Sequence, residues 1–334
     1  MTPGRVGGSA GAGLLPPALV DTMTGRTADP GLPPGTRIDG ASWLASLPAT
    51  VARLLTRWSL RLDTRLGAAG AAGGATAWSG HCALVVPVLT QTGRHAALKV
   101  TWPHVEAAGE HLALRSWGGH GAVELLAADP SRWALLLERL DAGRDLTGVS
   151  LMDASDTIGD LLRRLAVPPS PRFARLSTWA EGLREELVTD PPPVPRRHVE
   201  QALATIPSLL AEPGGVDGEL VHTDLHYENV LATLDPADPR GPWLAIDPKP
   251  LAAERAFAVA PLLWNRWDEA VRATNLRAHL RFRLGLVCDA AGIDEDRARA
   301  WTLLRELANA RDLADSGDRD GLTVAVSIMT AVAS

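Results

Sequence analysis

Residues 221–231 have the sequence VHTDLHYENVL, in which two apolar runs enclose a polar loop. The loop offers the carboxylate of Asp224, the imidazoles of His222 and His226, and the carboxamide of Asn229. Most loops of this composition between strands are turns in which Asp and Asn bond to the nearby backbone. The rest of the chain must therefore decide whether this loop carries chemistry.

Asp224 and Asn229 are five residues apart, as in the D-x-x-x-x-N loops of phosphoryl-transfer sites. In those sites the Asp accepts the proton of the attacking hydroxyl and the Asn binds Mg²⁺. Downstream, residues 243–247 (WLAID) predict a short strand that ends at a second carboxylate, Asp247. Asp247 would be the other metal ligand.

The composition sets bounds on the class of protein. A chain of 334 residues is long enough for two lobes or domains. No apolar run reaches membrane-spanning length, and the net charge of −6 argues against a nucleic-acid partner. Two cysteines are too few for a disulfide framework or a zinc site. We expect a cytoplasmic monomer that acts on a small molecule.

Lysine is rare in this chain. Of the 33 basic residues only Lys99 and Lys249 are lysines, and the rest are arginines. The ammonium group is compact, and the planar guanidinium of arginine does not replace it geometrically. Both lysines are therefore candidates for a functional site.

The pattern of apolar residues predicts an α+β fold with two lobes after a flexible Gly/Ala/Pro-rich extension at 1–37. The N-terminal lobe, residues 38–140, has a helix at 43–58, a five-stranded antiparallel sheet, a Gly-rich loop at 67–80 and one helix inserted after the third strand. The predicted strands are 59–66, 82–89, 95–101, 122–128 and 133–140, and the inserted helix is 103–117.

The C-terminal lobe, residues 141–334, is predicted to be mainly helical, because apolar residues recur at three- and four-residue spacing. Its predicted helices are 151–166, 172–189, 196–212, 259–271, 276–291, 294–313 and 322–333.

The chemical groups follow one another in the order that a phosphoryl-transfer site needs. Such a site positions ATP, neutralises its charge and orients the nucleophile. Lys99 would pair with the α- and β-phosphates, and a carboxylate on the next helix, Glu106 or Glu110, would hold its ammonium. Asn229 and Asp247 would bind Mg²⁺ through oxygen. Asp224 would take the proton of the acceptor hydroxyl.

Several segments carry a resemblance to a known family. They are ALKV at 97–100, EHLALR at 110–115, GAVELL at 121–126, LLERL at 136–140, HTDLH at 222–226, LAIDPK at 244–249, VAPLLWNR at 259–266 and DRARAW at 296–301. In these the chain resembles aminoglycoside phosphotransferases, and within them the streptomycin 6-phosphotransferase/hydroxyurea phosphotransferase branch. The likeness covers nearly everything after residue 40.

The resemblance implies a protein-kinase-like two-lobe fold, ATP and Mg²⁺. It also implies transfer of the γ-phosphate to the 6-hydroxyl of streptomycin or a related aminoglycoside, which inactivates the antibiotic. It favours Glu110 over Glu106 as the partner of Lys99. It places Glu138 and Leu140 at the hinge whose backbone receives adenine.

Three departures leave alternatives open. Thr223 and Glu228 stand where similar enzymes commonly carry glycine, and the Gly-rich loop at 67–80 is longer and richer in alanine than the family pattern. The alternatives are a kinase of hydroxyurea or of another small metabolite, and a catalytically weakened module that binds nucleotide.

Other polar residues have two interpretations each. Asp268 and Glu269 would recognise a guanidinium-bearing substrate through charge-assisted hydrogen bonds, or they form a solvated helix face. His222 and His226 brace the loop or are core histidines bonded to the backbone. Lys249 pairs with phosphate or forms a structural salt bridge.

Overall fold

The structure is a computed structural model, and it describes residues 15–63, 77–212 and 215–333. Most of the predicted Gly-rich loop at 67–80 and the first part of the predicted extension lie outside the described residues. The chain divides into two compact units. The N-terminal unit comprises 15–115 and 123–139, and the C-terminal unit comprises 116–122 and 140–333.

The N-terminal unit is built on an antiparallel sheet with the strand order β1-β3-β4-β6-β5, and a short β2 also pairs with β3. The five strands along this path confirm the predicted five-stranded sheet. In its centre Lys99 lies opposite Val85 on one neighbouring strand and Leu135 on the other. The strands are β1 (Arg61–Leu62), β2 (Trp78–Ser79), β3 (Ala83–Leu89), β4 (His95–Thr101), β5 (Leu125–Asp129) and β6 (Ala134–Glu138).

Three helices accompany this sheet: α1 (Pro17–Met23), α2 (Gly40–Arg57) and α3 (Glu110–Trp117). The predicted inserted helix is shorter than expected, because a 3-10 turn at Val105–Ala107 precedes α3. Gly109 lies between the two elements, and glycine inside a helix costs about 1 kcal/mol relative to alanine. The helix therefore begins after it, with Glu110 in its first turn.

Residues 15–37 differ from the extension that the sequence predicts. Pro17 begins helix α1, and Leu19 and Met23 are buried in the same apolar cluster as the inner face of α2. The two helices approach so closely that a Cβ on Gly40 would lie 1.9 Å from the carbonyl oxygen of Met23. This part of the chain is thus part of the core, because its few apolar residues recur at helical spacing.

The C-terminal unit is mainly helical, as predicted, and none of the described helices is long and apolar enough to cross a membrane. The predicted helix at 259–271 is interrupted, because Arg266 has a left-handed backbone (φ 54°) that a helix cannot contain. The helices are α4 (Leu151–Leu165), α5 (Leu176–Thr189), α6 (Arg196–Leu210), α7 (Pro261–Trp264), α8 (Trp267–Arg272), α9 (Leu276–Ala291), α10 (Glu295–Ser316) and α11 (Arg319–Val332).

Two small antiparallel sheets in the C-terminal unit hold the loop that follows His222. One has the order β10-β9-β7, and the other pairs β11 with β8. Residues 223–229 connect the end of β8 to the start of β9, so both ends of this loop are fixed by strand pairing. The strands are β7 (Asp141–Asp145), β8 (Glu219–His222), β9 (Val230–Ala232), β10 (Trp243–Ala245) and β11 (Pro250–Ala253).

Candidate active site

Lys99 and Glu110 form a buried ion pair in the N-terminal unit. Lys99 Nζ lies 2.6 Å from Glu110 Oε1, and the two side chains are 6% and 4% exposed. The pair joins the central strand β4 to the first turn of α3, whereas Glu106 lies in the preceding 3-10 turn and is exposed. Two charged side chains that are buried away from water stay charged only when they are paired. The pair therefore holds one ammonium at a fixed place on the sheet.

Glu138, which the resemblance places at an adenine-binding hinge, is bonded to Glu124 through two groups. Its N–H donates to the Glu124 carbonyl at 3.0 Å, and its Oε1 accepts the Glu124 N–H at 2.7 Å. The Glu138 side chain thus extends the pairing of β5 and β6. Leu140, the first residue of the chain's return to the C-terminal unit, is buried. Contact of either residue with adenine stays a prediction.

His222, the last residue of β8, braces the start of the loop. Its Nδ1 accepts the N–H of Asp224 at 3.2 Å, and its Nε2 lies 2.8 Å from the carbonyl oxygen of Ile246. The ring also stacks on Trp117 at 6.2 Å between centroids. Burial lowers the pKa of His222 to about 4, so the ring is neutral and can accept and donate at once.

Thr223 ties the loop to the strand that begins at Pro250. Its N–H and its Oγ1 both donate to the carbonyl oxygen of Lys249, at 3.2 and 2.7 Å. The Thr223 carbonyl in turn accepts a hydrogen bond from Arg305 on α10, whose guanidinium lies over the ring of Phe257. A glycine at this position would lose the Oγ1 bond. Thr223 therefore adds an anchor to the loop.

Asp224 carries its carboxylate at the centre of these contacts, with a side chain 15% exposed. Lys249 Nζ lies 3.2 Å from Oδ2, and His226 Nε2 lies 4.0 Å from Oδ1. The carboxylate is thus held by a cation and remains partly accessible. A carboxylate in this setting can accept a proton from a bound hydroxyl.

Asn229 and Asp247 both lie just beyond one end of the β9–β10 pair, where the N–H of Ile246 donates to the Asn229 carbonyl at 2.9 Å. Asn229 Nδ2 donates to the Asp224 carbonyl at 2.8 Å, so its Oδ1 is the atom left for a cation. Asp247 has a left-handed backbone (φ 53°). Such strain in a residue other than glycine clusters at functional sites.

His226 and Glu228 flank Asn229 on the loop. His226 Nε2 lies 3.1 Å from Asn229 Nδ2, and burial lowers the pKa of this histidine, so Nε2 acts as an acceptor. The Glu228 carboxylate is mostly exposed and accepts a hydrogen bond from Asn265 Nδ2 at 2.9 Å. His226 thus orients the Asn229 carboxamide, and Glu228 is anchored to the turn between α7 and α8.

The predicted substrate carboxylates, Asp268 and Glu269, both have partners on their own segment. Asp268 pairs with Arg272 at 2.8 Å, and both side chains are largely exposed. Glu269 pairs with Arg266 at 2.6 Å, and that arginine is 10% exposed and also donates to the backbone around α4. Asp268 therefore lies on a solvated face, and Glu269 belongs to a partly buried cluster.

Trp117, which stacks on His222, and Arg305, which bonds to Thr223, lie outside the segments that carry the resemblance. Asn265, which bonds to Glu228, lies inside the segment 259–266. Arg305 is 82 residues from Thr223 along the chain. Spacing within a loop cannot identify such partners. The order of the segments that carry the resemblance is the signal in the sequence that distant parts of the chain contribute to one site.

Residues 73–317 match the family described as aminoglycoside/hydroxyurea antibiotic resistance kinase. The chain is 40% identical to the streptomycin 6-kinase of Streptomyces glaucescens over 81% of this chain and 84% of that protein. It is 39% identical to the hydroxyurea phosphotransferase of Kitasatospora aureofaciens, over 81% of this chain and 74% of that protein.

A solved structure shares the fold. The macrolide 2'-phosphotransferase MphH of Brachybacterium faecium superposes with a TM-score of 0.53 at 14% identity, covering 85% of this chain and 98% of that one. This likeness shows a kinase-like fold, and the sequence relatives show the family. Because the family match spans well over half of its length, this chain belongs to the aminoglycoside/hydroxyurea antibiotic resistance kinases and is a phosphotransferase.

Proposed function

We propose that the chain transfers the γ-phosphate of ATP to a hydroxyl group of an aminoglycoside, and that this acceptor is the 6-hydroxyl of streptomycin. The observation that carries the proposal is the pair of contacts that fix Asp224. Its backbone N–H donates to the ring of His222, and its carboxylate is paired with the ammonium of Lys249. The named activity of the 40%-identical streptomycin 6-kinase supports the choice of acceptor.

Lys99 would hold the nucleotide, and Asn229 and Asp247 would hold the metal. The ammonium of Lys99, fixed by Glu110, suits the α- and β-phosphates. The Asn229 carboxamide oxygen and the Asp247 carboxylate fit Mg²⁺, which takes oxygen ligands and usually few from the protein. When bound, Mg²⁺ would neutralise phosphate charge. His226, by accepting from Asn229 Nδ2, fixes the carboxamide so that its oxygen would be the atom available to the ion.

In the reaction, the acceptor oxygen forms a bond to the γ-phosphorus while the bond from that phosphorus to the ADP oxygen breaks. The proton of the acceptor hydroxyl passes to the Asp224 carboxylate. Phosphoryl transfer has a loose transition state, so the protein contributes mainly position and charge. The contacts of His222 and Thr223 supply that position, because they fix the backbone up to and including the N–H of Asp224.

Hydroxyurea is the second candidate acceptor, because the hydroxyurea phosphotransferase of Kitasatospora aureofaciens is 39% identical. The third reading, a weakened nucleotide-binding module, is less well supported. Thr223, one of the departures behind that hypothesis, adds a hydrogen bond to Lys249 and so anchors the loop.

We also propose that the enzyme works as a cytoplasmic monomer. The residues proposed to contact phosphate, to bind the metal and to accept the proton all belong to one chain, so a second copy is not required. Light scattering during size-exclusion chromatography would give the mass of one chain. A dimer that persists on dilution would contradict this.

The experiment is an acceptor assay with ATP and Mg²⁺. Streptomycin, hydroxyurea and a control without acceptor are compared for ADP release, and phosphorylated product is identified by mass spectrometry and phosphorus NMR. We expect streptomycin 6-phosphate and ADP in equal amounts. Phosphorylation of hydroxyurea alone would favour the second candidate. Tight ATP binding without transfer to either acceptor would favour the module.

A further inference from the structure

Lys249 is placed by the backbone opposite Thr223, the residue before the candidate base. It follows Asp247 by two residues and precedes β11, whose first residue, Pro250, pairs with His222 at the end of β8. The carbonyl of Lys249 accepts from both N–H and Oγ1 of Thr223. Lys249 is therefore fixed to the residue before Asp224 by its main chain.

The side chain of Lys249 turns from this anchor to the carboxylate itself. Nζ lies 3.2 Å from Asp224 Oδ2, and the lysine and aspartate side chains are 37% and 15% exposed. Lys99 in the N-terminal unit is by contrast 6% exposed. An ion pair that is partly open to water contributes little to folding. Stability is thus a weak reason for a lysine at this place.

The choice of lysine over arginine points to chemistry. Of the 33 basic residues 31 are arginines, since only Lys99 and Lys249 are lysines. A guanidinium beside Asp224 would engage both carboxylate oxygens as a planar fork. The ammonium of Lys249 instead meets Oδ2 as a compact point charge at 3.2 Å, and His226 Nε2 lies 4.0 Å from Oδ1. An ammonium orients the carboxylate without covering it.

We propose that Lys249 is a catalytic residue, whose ammonium orients Asp224 and contacts the phosphoryl group as it passes to the acceptor oxygen. This rests on the proposed function. The acceptor hydroxyl must lie within about 2.6–3.2 Å of Asp224 to give up its proton. The same oxygen is bonded to phosphorus in the transition state, so a cation touching Asp224 lies within reach of the phosphoryl oxygens. Lys249 keeps its own protons throughout.

The effect of this cation is on the rate of transfer. Charge that develops on the phosphoryl group is stabilised by a donor already in place, and removal of one such donor typically costs about 10²–10³-fold in kcat. Binding of ATP and of the acceptor before transfer depends on other groups. We therefore expect Lys249 variants to lose kcat and to keep their KM values nearly unchanged.

The test uses Lys249→Ala, Lys249→Met and Lys249→Arg in the full chain, with streptomycin and ATP. Arg196→Ala is the matched control, because it also removes one positive charge, from a helix-surface pair whose side chains are 89% and 61% exposed. Thermal unfolding verifies that each variant is folded. We expect kcat to fall about 10²–10³-fold in the alanine and methionine variants and to stay low in the arginine variant.

Chemical rescue separates catalysis from a structural role. Ethylammonium added to Lys249→Ala should restore part of kcat in proportion to its concentration, and should leave Asp224→Asn and the control unchanged. Full activity of the alanine variant, or a loss that ethylammonium does not restore in a folded variant, would overturn the proposal. If Lys249→Ala does not fold, near wild-type kcat in Lys249→Met would overturn it equally.

If the proposed function is wrong, the result is different: the wild-type protein then phosphorylates neither streptomycin nor hydroxyurea. The Lys249 variants are then compared in the slow hydrolysis of ATP, where water replaces the acceptor hydroxyl beside Asp224. The same loss and rescue by ethylammonium are expected there, and equal hydrolysis by wild type and Lys249→Ala would overturn the role of Lys249.

Discussion

The imidazole of His222 accepts the backbone N–H of Asp224 at Nδ1, with 3.2 Å between the two nitrogens. Only a neutral ring can do this while its Nε2–H donates to the Ile246 carbonyl. The position of the candidate base therefore depends on the charge of the preceding histidine. Burial, which lowers the pKa of His222 to about 4, keeps the ring neutral at physiological pH.

The first prediction concerns stability in acid. The pKa of His222 is about 4 in the folded protein against 6.5 ordinarily, so between these pH values the unfolded chain binds more protons. The stability present above about pH 6.5 is therefore lost as pH falls toward 4, by at most roughly 3 kcal/mol for this group. Urea unfolding at several pH values measures the loss. His222→Gln keeps a hydrogen-bond acceptor and a donor but does not titrate, so it should lose less stability over this pH range. Wild-type and variant stabilities that fall in parallel with pH would contradict the prediction.

The second prediction concerns Glu306 on α10, which is buried and whose Oε1 has no hydrogen-bond partner among the described residues. Burial raises its pKa from 4.5 to about 8. The folded protein therefore binds the extra proton between these values, and stability falls as pH rises through this window, by at most about 1.4 kcal/mol per pH unit.

Glu306→Gln removes this titration with little change in shape. The variant should gain stability relative to wild type as the pH is raised from 5 to 8. Calorimetric unfolding at matched pH values measures the difference. A stability difference that does not change with pH would show that Glu306 is charged in the folded protein.

The third prediction is a double-mutant cycle on Lys99 and Glu110. Each single variant, Lys99→Met or Glu110→Gln, leaves one buried group without its partner, and breaking a buried pair costs about 3–5 kcal/mol. The double variant removes both charges and should be more stable than the sum of the single effects indicates. All three should bind ATP weakly by calorimetry. Additive stability effects would contradict a direct pair.

The fourth prediction tests the acceptor carboxylates. The pair between Asp268 and Arg272 is exposed and worth about 0–1 kcal/mol, so a guanidinium ligand could displace Arg272 at little cost. Arg272→Ala should lower the KM for streptomycin and Asp268→Asn should raise it, with the KM for ATP unchanged. If neither variant alters the streptomycin KM, Asp268 belongs to a solvated helix face.

The sequence predicts the central elements of the fold because their patterns are local. Strand β4 is found at its predicted bounds, as is α9: β4 is a short, almost continuously buried run, and the buried residues of α9 recur at helical spacing. The break at Arg266 and the helix α1 at Pro17–Met23 were missed. Each depends on a backbone angle or on packing against a distant segment, which periodicity does not contain.

In the candidate site, the partner of Lys99 could be predicted before the structure was known, and the partners of Thr223 could not. Lys99 and Glu110 are eleven residues apart, and the resemblance to the family selected Glu110, whose contact with Lys99 the structure shows. The partners of Thr223 could not be predicted, because Lys249 approaches it through strand pairing and Arg305 through helix α10. From the sequence, Thr223 is a departure from the glycine of similar enzymes, and the structure shows that its hydroxyl anchors the loop.

The central claim is that Asp224 takes the proton of the acceptor hydroxyl during phosphoryl transfer. The most direct measurement compares wild type with Asp224→Asn for phosphorylation of streptomycin, with ATP affinity measured by calorimetry on the same samples. We predict that kcat falls about 10²–10⁴-fold while ATP affinity is nearly unchanged. Wild-type turnover in Asp224→Asn would contradict the account.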